Sequence, residues 1–139
     1  MIILDTNVLS ELMRPDPNPS VFSWLDTHPE SELWTTSVNK AEILHGIALL
    51  PQGRRRASLA LAAEQVLEED LEGRVLPFDA VAADHFGDIV AYRREKGSPI
   101  QHFDALIAAI ARGTGAHIAT RDIDGFADCE LTIINPWNR

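Results

Sequence analysis

Three features of the sequence predict an α/β fold, a three-layer α/β/α sandwich around a mostly parallel central sheet. Ile2-Ile3-Leu4 is an unbroken apolar run with two β-branched members, the pattern of a strand buried on both faces. Short strand-like runs then alternate with longer segments of helical spacing, and that alternation implies crossover connections and parallel strands. Acids follow the strands: Asp5 after the first, Asp122 after a later one, and Glu42 in the helix that leaves another. In open α/β sheets the carboxyl ends of the strands form the binding crevice, so these acids share one expected address.

Each element has a local reason. Residues 7–13 read as a short helix that must stop before Pro15, and Pro15, Pro17 and Pro19 stiffen the connector by fixing φ and restricting the residues before them. Residues 20–27 start on a capping serine and place Val21, Trp24 and Leu25 at helical spacing. Leu33-Trp34-Thr35-Thr36 is rich in strand formers. From Ser37 a stronger helix spreads Val38, Ala41, Ile43, Leu44, Ile47 and Ala48 over a broad apolar face.

Residues 53–71 are rich in alanine and leucine and read as one long helix ending near Gly73. Val75-Leu76-Pro77-Phe78 is strand-like, but Pro77 confines it to a sheet edge or a strand end. Asp79 caps a helix over 80–95 that stops at Gly97. Residues 103–112 form another helix, with Gly113 and Gly115 where C-caps favour glycine. Residues 116–120 and 131–134 supply the last two strands.

Composition narrows the function classes. The 139 residues make one domain's worth of chain, spanning 1–139, and an apolar content of 45% supports a packed core. No apolar stretch approaches the roughly 20 residues that span a bilayer, and no basic segment precedes the first apolar run as in a signal peptide. The single cysteine, Cys129, has no internal partner for a disulfide, which fits a reducing cytoplasm. A net charge of −9 argues against holding nucleic acid by overall charge and fits an acidic metal site or a basic protein partner. The basic clusters Arg54-Arg55-Arg56 and Arg93-Arg94 with Lys96 read as solvated helix faces.

Taken singly, each acid has an ordinary role. Asp5 is a helix cap, and Asp104 and Glu42 are early-turn carboxylates favoured by the helix dipole. Asp122 is a turn residue in Arg-Asp-Ile-Asp-Gly. Taken together, Asp5, Glu42, Asp104 and Asp122 converge on one rim of the sheet, three of them flanked by apolar sequence. Carboxylates gathered so closely repel one another. Mg²⁺ or Mn²⁺, hard cations held by oxygen ligands, resolves that repulsion, activates water and stabilises charge on a phosphoryl group.

These residues carry a resemblance. Leu-Asp-Thr-Asn-Val at 4–8, Ala-Glu-Ile at 41–43, Phe-Asp-Ala-Leu-Ile-Ala-Ala at 103–109 and Ala-Thr-Arg-Asp at 119–122 resemble the successive acidic motifs of PIN domains. Their order and the closing Ile-Asn-Pro-Trp look most like the VapC/FitB-type toxins of bacterial toxin–antitoxin pairs. The resemblance implies a PIN-like fold and a Mg²⁺-dependent ribonuclease in which Mn²⁺ substitutes. It implies Asp5, Glu42, Asp104 and Asp122 as the acidic set, with Asp5, Asp104 and Asp122 holding the metal. Thr6, Asn7 and Thr120 match the family's supporting polar residues. The implied partners are RNA, an antitoxin and a second copy of the chain, in the cytoplasm and without a membrane.

The sequence departs from the family at His102, where small residues are usual, and at Asp124, whose register is shifted. His102 reads as a surface or supporting group rather than a ligand, and Asp124 reads as lying outside the site, with a further acid of the site as the alternative. Arg14 and Arg121 read as solvated, with phosphate contact as the alternative. Two other functions compete. A PIN fold that only binds a protein would have lost some acids, and none is lost. An aspartyl phosphatase of the HAD type needs Asp-x-Asp after the first strand, where this chain has Asn7. No Ser nucleophile elbow and no Gly-rich phosphate loop is present.

Overall fold

Ile2–Leu4 forms β1, a strand with every residue buried. The computed structural model describes residues 1–138. The remaining strands are β2 (Leu33–Thr36), β3 (Val75–Leu76), β4 (His117–Ala119) and β5 (Ile133–Ile134). They join β1 in one sheet of order β3-β2-β1-β4-β5, and all four pairings are parallel. The strand alternation of β1 splits its side chains between two cores. Ile2 and Leu4 pack on one face with Val8, Leu9, Trp24 and Ile43, and Ile3 packs on the other with Ile89, Ile107 and Ile110.

Those cores are the work of six α-helices among the described residues: α1 (Thr6–Leu12), α2 (Pro19–Asp26), α3 (Ser37–Ala48), α4 (Arg54–Glu64), α5 (Ala80–Glu95) and α6 (His102–Thr114). Helices α1, α2 and α4 cover the first face and α5 and α6 the second, with Ile43 and Val38 of α3 divided between the two. This is the expected three-layer α/β/α sandwich. Among the described residues no helix is long and apolar enough to cross a membrane.

The topology decides where a site can form. The chain steps outward from β1 to β2 to β3, then returns to the other side of β1 for β4 and β5. The order therefore reverses between β1 and β4, and at such a switch point the connections leave in opposite directions and open a crevice. Asp5 follows β1 directly and Thr120 follows β4, so both stand at its mouth.

Four details differ from the sequence reading. The helix expected over 53–71 is α4 up to Glu64, then a π-helical turn over Gln65–Asp70 that buries Val66 and Leu67. Of the run 131–134, only Ile133–Ile134 forms β5. Leu44, on the apolar face of α3, remains 47% exposed. Arg93 is not part of a solvated face: it is 3% exposed, while Arg94 and Lys96 stay in solvent.

Candidate active site

The four acids reach one place by four routes. Asp5 ends β1, Glu42 lies in the second turn of α3, Asp104 is the third residue of α6, and Asp122 follows β4. All four line a single open pocket of about 620 Å³ at the switch point, together with Thr6 and Asn7. Thr120 is buried beneath them. His102 packs against the Phe86 ring at 6.0 Å and, like Asp124, does not line the pocket. Arg14 and Arg121 do line it, so the solvated reading of these two arginines is incomplete.

Asp5 is both cap and site residue. Its Oδ1 accepts hydrogen bonds from the Thr6 amide at 2.9 Å and from Asn39 Nδ2 at 3.0 Å, and its Oδ2 accepts from Thr120 Oγ1 at 2.7 Å. A carboxylate offers about four acceptor positions, and these bonds occupy three. Thr120 Oγ1 in turn accepts from Asn7 Nδ2 and from the Asp122 amide, each at 3.0 Å. Asn7 Oδ1 accepts from the Arg121 amide at 3.2 Å. One hydroxyl thus locks the first and last acids into register across the β1/β4 crevice. Asn7 is a brace with both ends of its amide engaged, which is incompatible with the phosphatase reading.

A second network orients Glu42. Thr6 Oγ1 donates to Glu42 Oε1 at 3.0 Å and accepts from Asn39 Nδ2 at 3.0 Å. Asn39 is fixed by Thr36, the N-cap of α3, whose hydroxyl donates to Asn39 Oδ1 at 2.6 Å. Sequence reasoning passed over Asn39, although it lies three residues before Glu42 and so on the same helix face. A wholly buried asparagine needs partners, and these are what it has.

The electrostatics follow from this crowding. Burial pushes the Asp104 carboxyl up to about 6, and the charges of Asp5, Asp122 and Glu42 push the same way, while Arg93 pulls it back. Burial also raises Asp5, against the hydrogen bonds from Thr120, Thr6 and Asn39 that favour its charged form. Glu42 is raised by burial and by Asp5, and lowered by the bond from Thr6. Three carboxyls are thus held above their ordinary range around one pocket, by burial first and by one another's charge.

Gly125 makes room for the carboxylates of Asp122 and Asp104. A Cβ there would strike Asp122 Oδ2, come within 2.9 Å of its Cγ, and lie 3.2 Å from Asp104 Oδ2. The Gly125 amide instead donates to Asp122 Oδ1 at 3.2 Å. Among the described residues no group of three or more His, Cys, Asp or Glu side chains is drawn together closely enough to hold a metal ion as it stands. An open ring of hard oxygens suits Mg²⁺, which takes one or two carboxylates and keeps several waters. The pocket's acids are oxygen donors, the ligand type that ion takes.

Residues 2–130 match the PIN domain family. The chain belongs to that family. Toxin FitB of Neisseria gonorrhoeae is 37% identical over 138 residues, covering 99% of either chain. A VapC ribonuclease of Sinorhizobium fredii is 39% identical over 137 residues, 99% of this PIN domain and 98% of that protein. The crystal structure of FitAcB from Neisseria gonorrhoeae superposes with a TM-score of 0.90 at 37% identity, covering 100% of both chains. The likeness therefore runs the full length of this PIN domain and is to proteins of the VapC and FitB type.

Proposed function

We propose that this PIN domain is a Mg²⁺-dependent endoribonuclease and the toxin of a toxin–antitoxin pair. The observation that carries the reading is the convergence of Asp5, Glu42, Asp104 and Asp122 on one pocket at the sheet's switch point, none of them lost or turned away. The full-length likeness to a VapC ribonuclease and to toxin FitB supports the substrate and the role.

Asp5, Asp104 and Asp122 would hold the ion. Bound there, Mg²⁺ supplies an activated water and charge stabilisation at the phosphodiester, and Mn²⁺ serves in its place. The chain's own residues do the rest. Thr120 fixes the spacing between Asp5 and Asp122, and Thr6, itself held by Asn39, donates to Glu42 Oε1, leaving Oε2 to accept a proton from the attacking water. Arg14 and Arg121 are the local cations that bring a phosphate to an otherwise acidic mouth. The nucleophile is water, so no covalent enzyme intermediate forms.

The partners are RNA, an antitoxin that covers the acidic pocket, and a second copy of the chain, in the cytoplasm. Incubation of the purified protein with an RNA pool tests the chemistry. Cleavage should leave 5′-phosphate and 3′-hydroxyl ends, vanish in EDTA and return with Mg²⁺ or Mn²⁺. Cleavage that survives EDTA, or 2′,3′-cyclic phosphate ends, would rule the mechanism out.

A further inference from the structure

The rim of the pocket carries a pair of side chains that the acidic chemistry does not use. The Arg121 guanidinium lies over the Trp137 ring, 4.0 Å from its centroid, and both residues line the pocket beside the acids. We propose that Arg121 and Trp137 form a stacking platform for the nucleobase next to the scissile phosphate. This rests on the ribonuclease reading above.

Two observations favour a ligand-facing platform over an ordinary surface contact. First, the pair is built rigidly into the site. The Arg121 amide is held by Asn7 Oδ1, and the next amide, of Asp122, is held by Thr120 Oγ1. On the other side the Trp137 amide donates to Asn135 Oδ1 at 3.0 Å, and Pro136 between them is buried. Second, Arg121 is exposed and makes no ion pair among the described residues, whereas Arg14 across the pocket is paired with Glu11 at 3.2 Å. Arg121 is the cation whose charge is not already answered.

The chemistry of these groups selects the ligand. A guanidinium stacked on indole presents a flat, cationic, delocalised face, which suits a nucleobase above it and a phosphate at its edge. With a net charge of −9 the protein has no overall field to hold RNA, so affinity must come from local contacts of this kind. Bases in a duplex are stacked on one another and cannot offer a face, which excludes paired RNA.

The test separates binding from cleavage. Tryptophan fluorescence of the Asp104→Asn chain, with Mg²⁺, is titrated with a short single-stranded RNA of mixed sequence and with the same RNA as a duplex. The single strand should quench and the duplex should not. Trp137→Phe in that background should abolish the signal, because Trp24 is buried and neither Trp24 nor Trp34 lines the pocket. In the cleaving protein, Trp137→Leu and Arg121→Gln should raise KM about tenfold, with the change in KM rather than kcat, and Trp137→Phe should recover most of it. Arg121→Gln should also reduce the salt dependence of binding by about one phosphate contact. Arg121→Gln leaves the indole packing intact, so it remains informative if Trp137→Leu lowers the melting temperature. Unchanged KM in Arg121→Gln, or equal quenching by single strand and duplex, overturns the platform and leaves the pair as a protein-contact surface. Quenching by the single strand without cleavage by the wild-type chain would support the platform while defeating the ribonuclease reading.

Discussion

Arg93 Nη1 donates to the carbonyl oxygen of Gly125 at 3.0 Å from inside the protein. The same guanidinium reaches Ala127 O at 3.0 Å and Ser98 O at 2.7 Å, so one buried cation ties the end of α5 to the turn that carries Gly125. Among the described residues no carboxylate pairs with it, and its charge is felt instead by Asp104. Arg93 is thus a buried cation held by backbone dipoles that adds a small opposing charge near Asp104.

Arg93→Ala should therefore cost about 2–4 kcal/mol, since it leaves three carbonyls without their charged donor. Arg93→Lys should not restore the loss, because a single ammonium cannot span the fork that reaches Ser98, Gly125 and Ala127. Denaturant unfolding of both variants measures this. Because Arg93 lowers the Asp104 pKa, its removal should also move the acidic limb of the cleavage pH profile upward. A profile that stays in place would show that Arg93 acts on the turn alone.

Gly125→Ala should fold and fail to cut. Its φ is not in the left-handed region, so backbone strain is not the issue. The added methyl displaces the Asp122 carboxylate and crowds Asp104. Misplacement on that scale should lower kcat by about a hundredfold while leaving the melting temperature within a few degrees. Steady-state kinetics at saturating Mg²⁺ with a parallel thermal melt will decide, and wild-type turnover would show that the acids tolerate the shift.

These two residues also mark where the sequence was legible and where it was not. β1, α3, α6 and the four acids were readable because apolar periodicity and an acid at a strand end are local signals. The pairing of Thr120 with Asp5 joins residues 115 apart in sequence, and only the strand order puts them side by side. Arg93 sits in Arg-Arg-Glu-Lys, which has the composition of a solvated face; its burial depends on how α5 meets the turn at 124–127. Gly125 looked like an ordinary turn glycine, since nothing local reveals which side chain will occupy the space beside it. Trp137 was read only as part of a terminal motif, and its role at the rim needs Arg121 above it.

The pocket should also govern partner binding. Desolvated carboxylates beside one another are a socket for arginine or lysine, so an antitoxin should insert a basic side chain among Asp5, Glu42, Asp104 and Asp122. That side chain and Mg²⁺ would then compete for one place. Calorimetric titration of toxin with antitoxin should show affinity falling as Mg²⁺ rises, while NaCl of matched ionic strength has a smaller effect. Affinity independent of Mg²⁺ would mean that the partner leaves the acids uncovered.

Asp104 joins stability to catalysis. Its folded pKa of about 6 lies above the unfolded value of about 4. A carboxyl raised in this way binds its proton more tightly in the folded state, so raising the pH through that window removes stability. The penalty begins near pH 4 and is complete above about 6. Metal-free protein should accordingly melt lower at neutral pH than at pH near 5, and Mg²⁺ should restore the difference by binding only the folded form. Asp104→Asn removes one charge from the cluster and nearly keeps its shape. After discounting for solvent screening of a half-buried group, it should be more stable than wild type without metal by about 1 kcal/mol at neutral pH. It should gain less from Mg²⁺ and should not cleave RNA. If Asp104 were only an early-turn acid stabilised by the α6 dipole, the sign would reverse and asparagine would cost a few tenths of a kcal/mol. Thermal melts of both proteins in EDTA and in Mg²⁺ distinguish the two, and a less stable Asp104→Asn that still cuts RNA would defeat the acidic-site account.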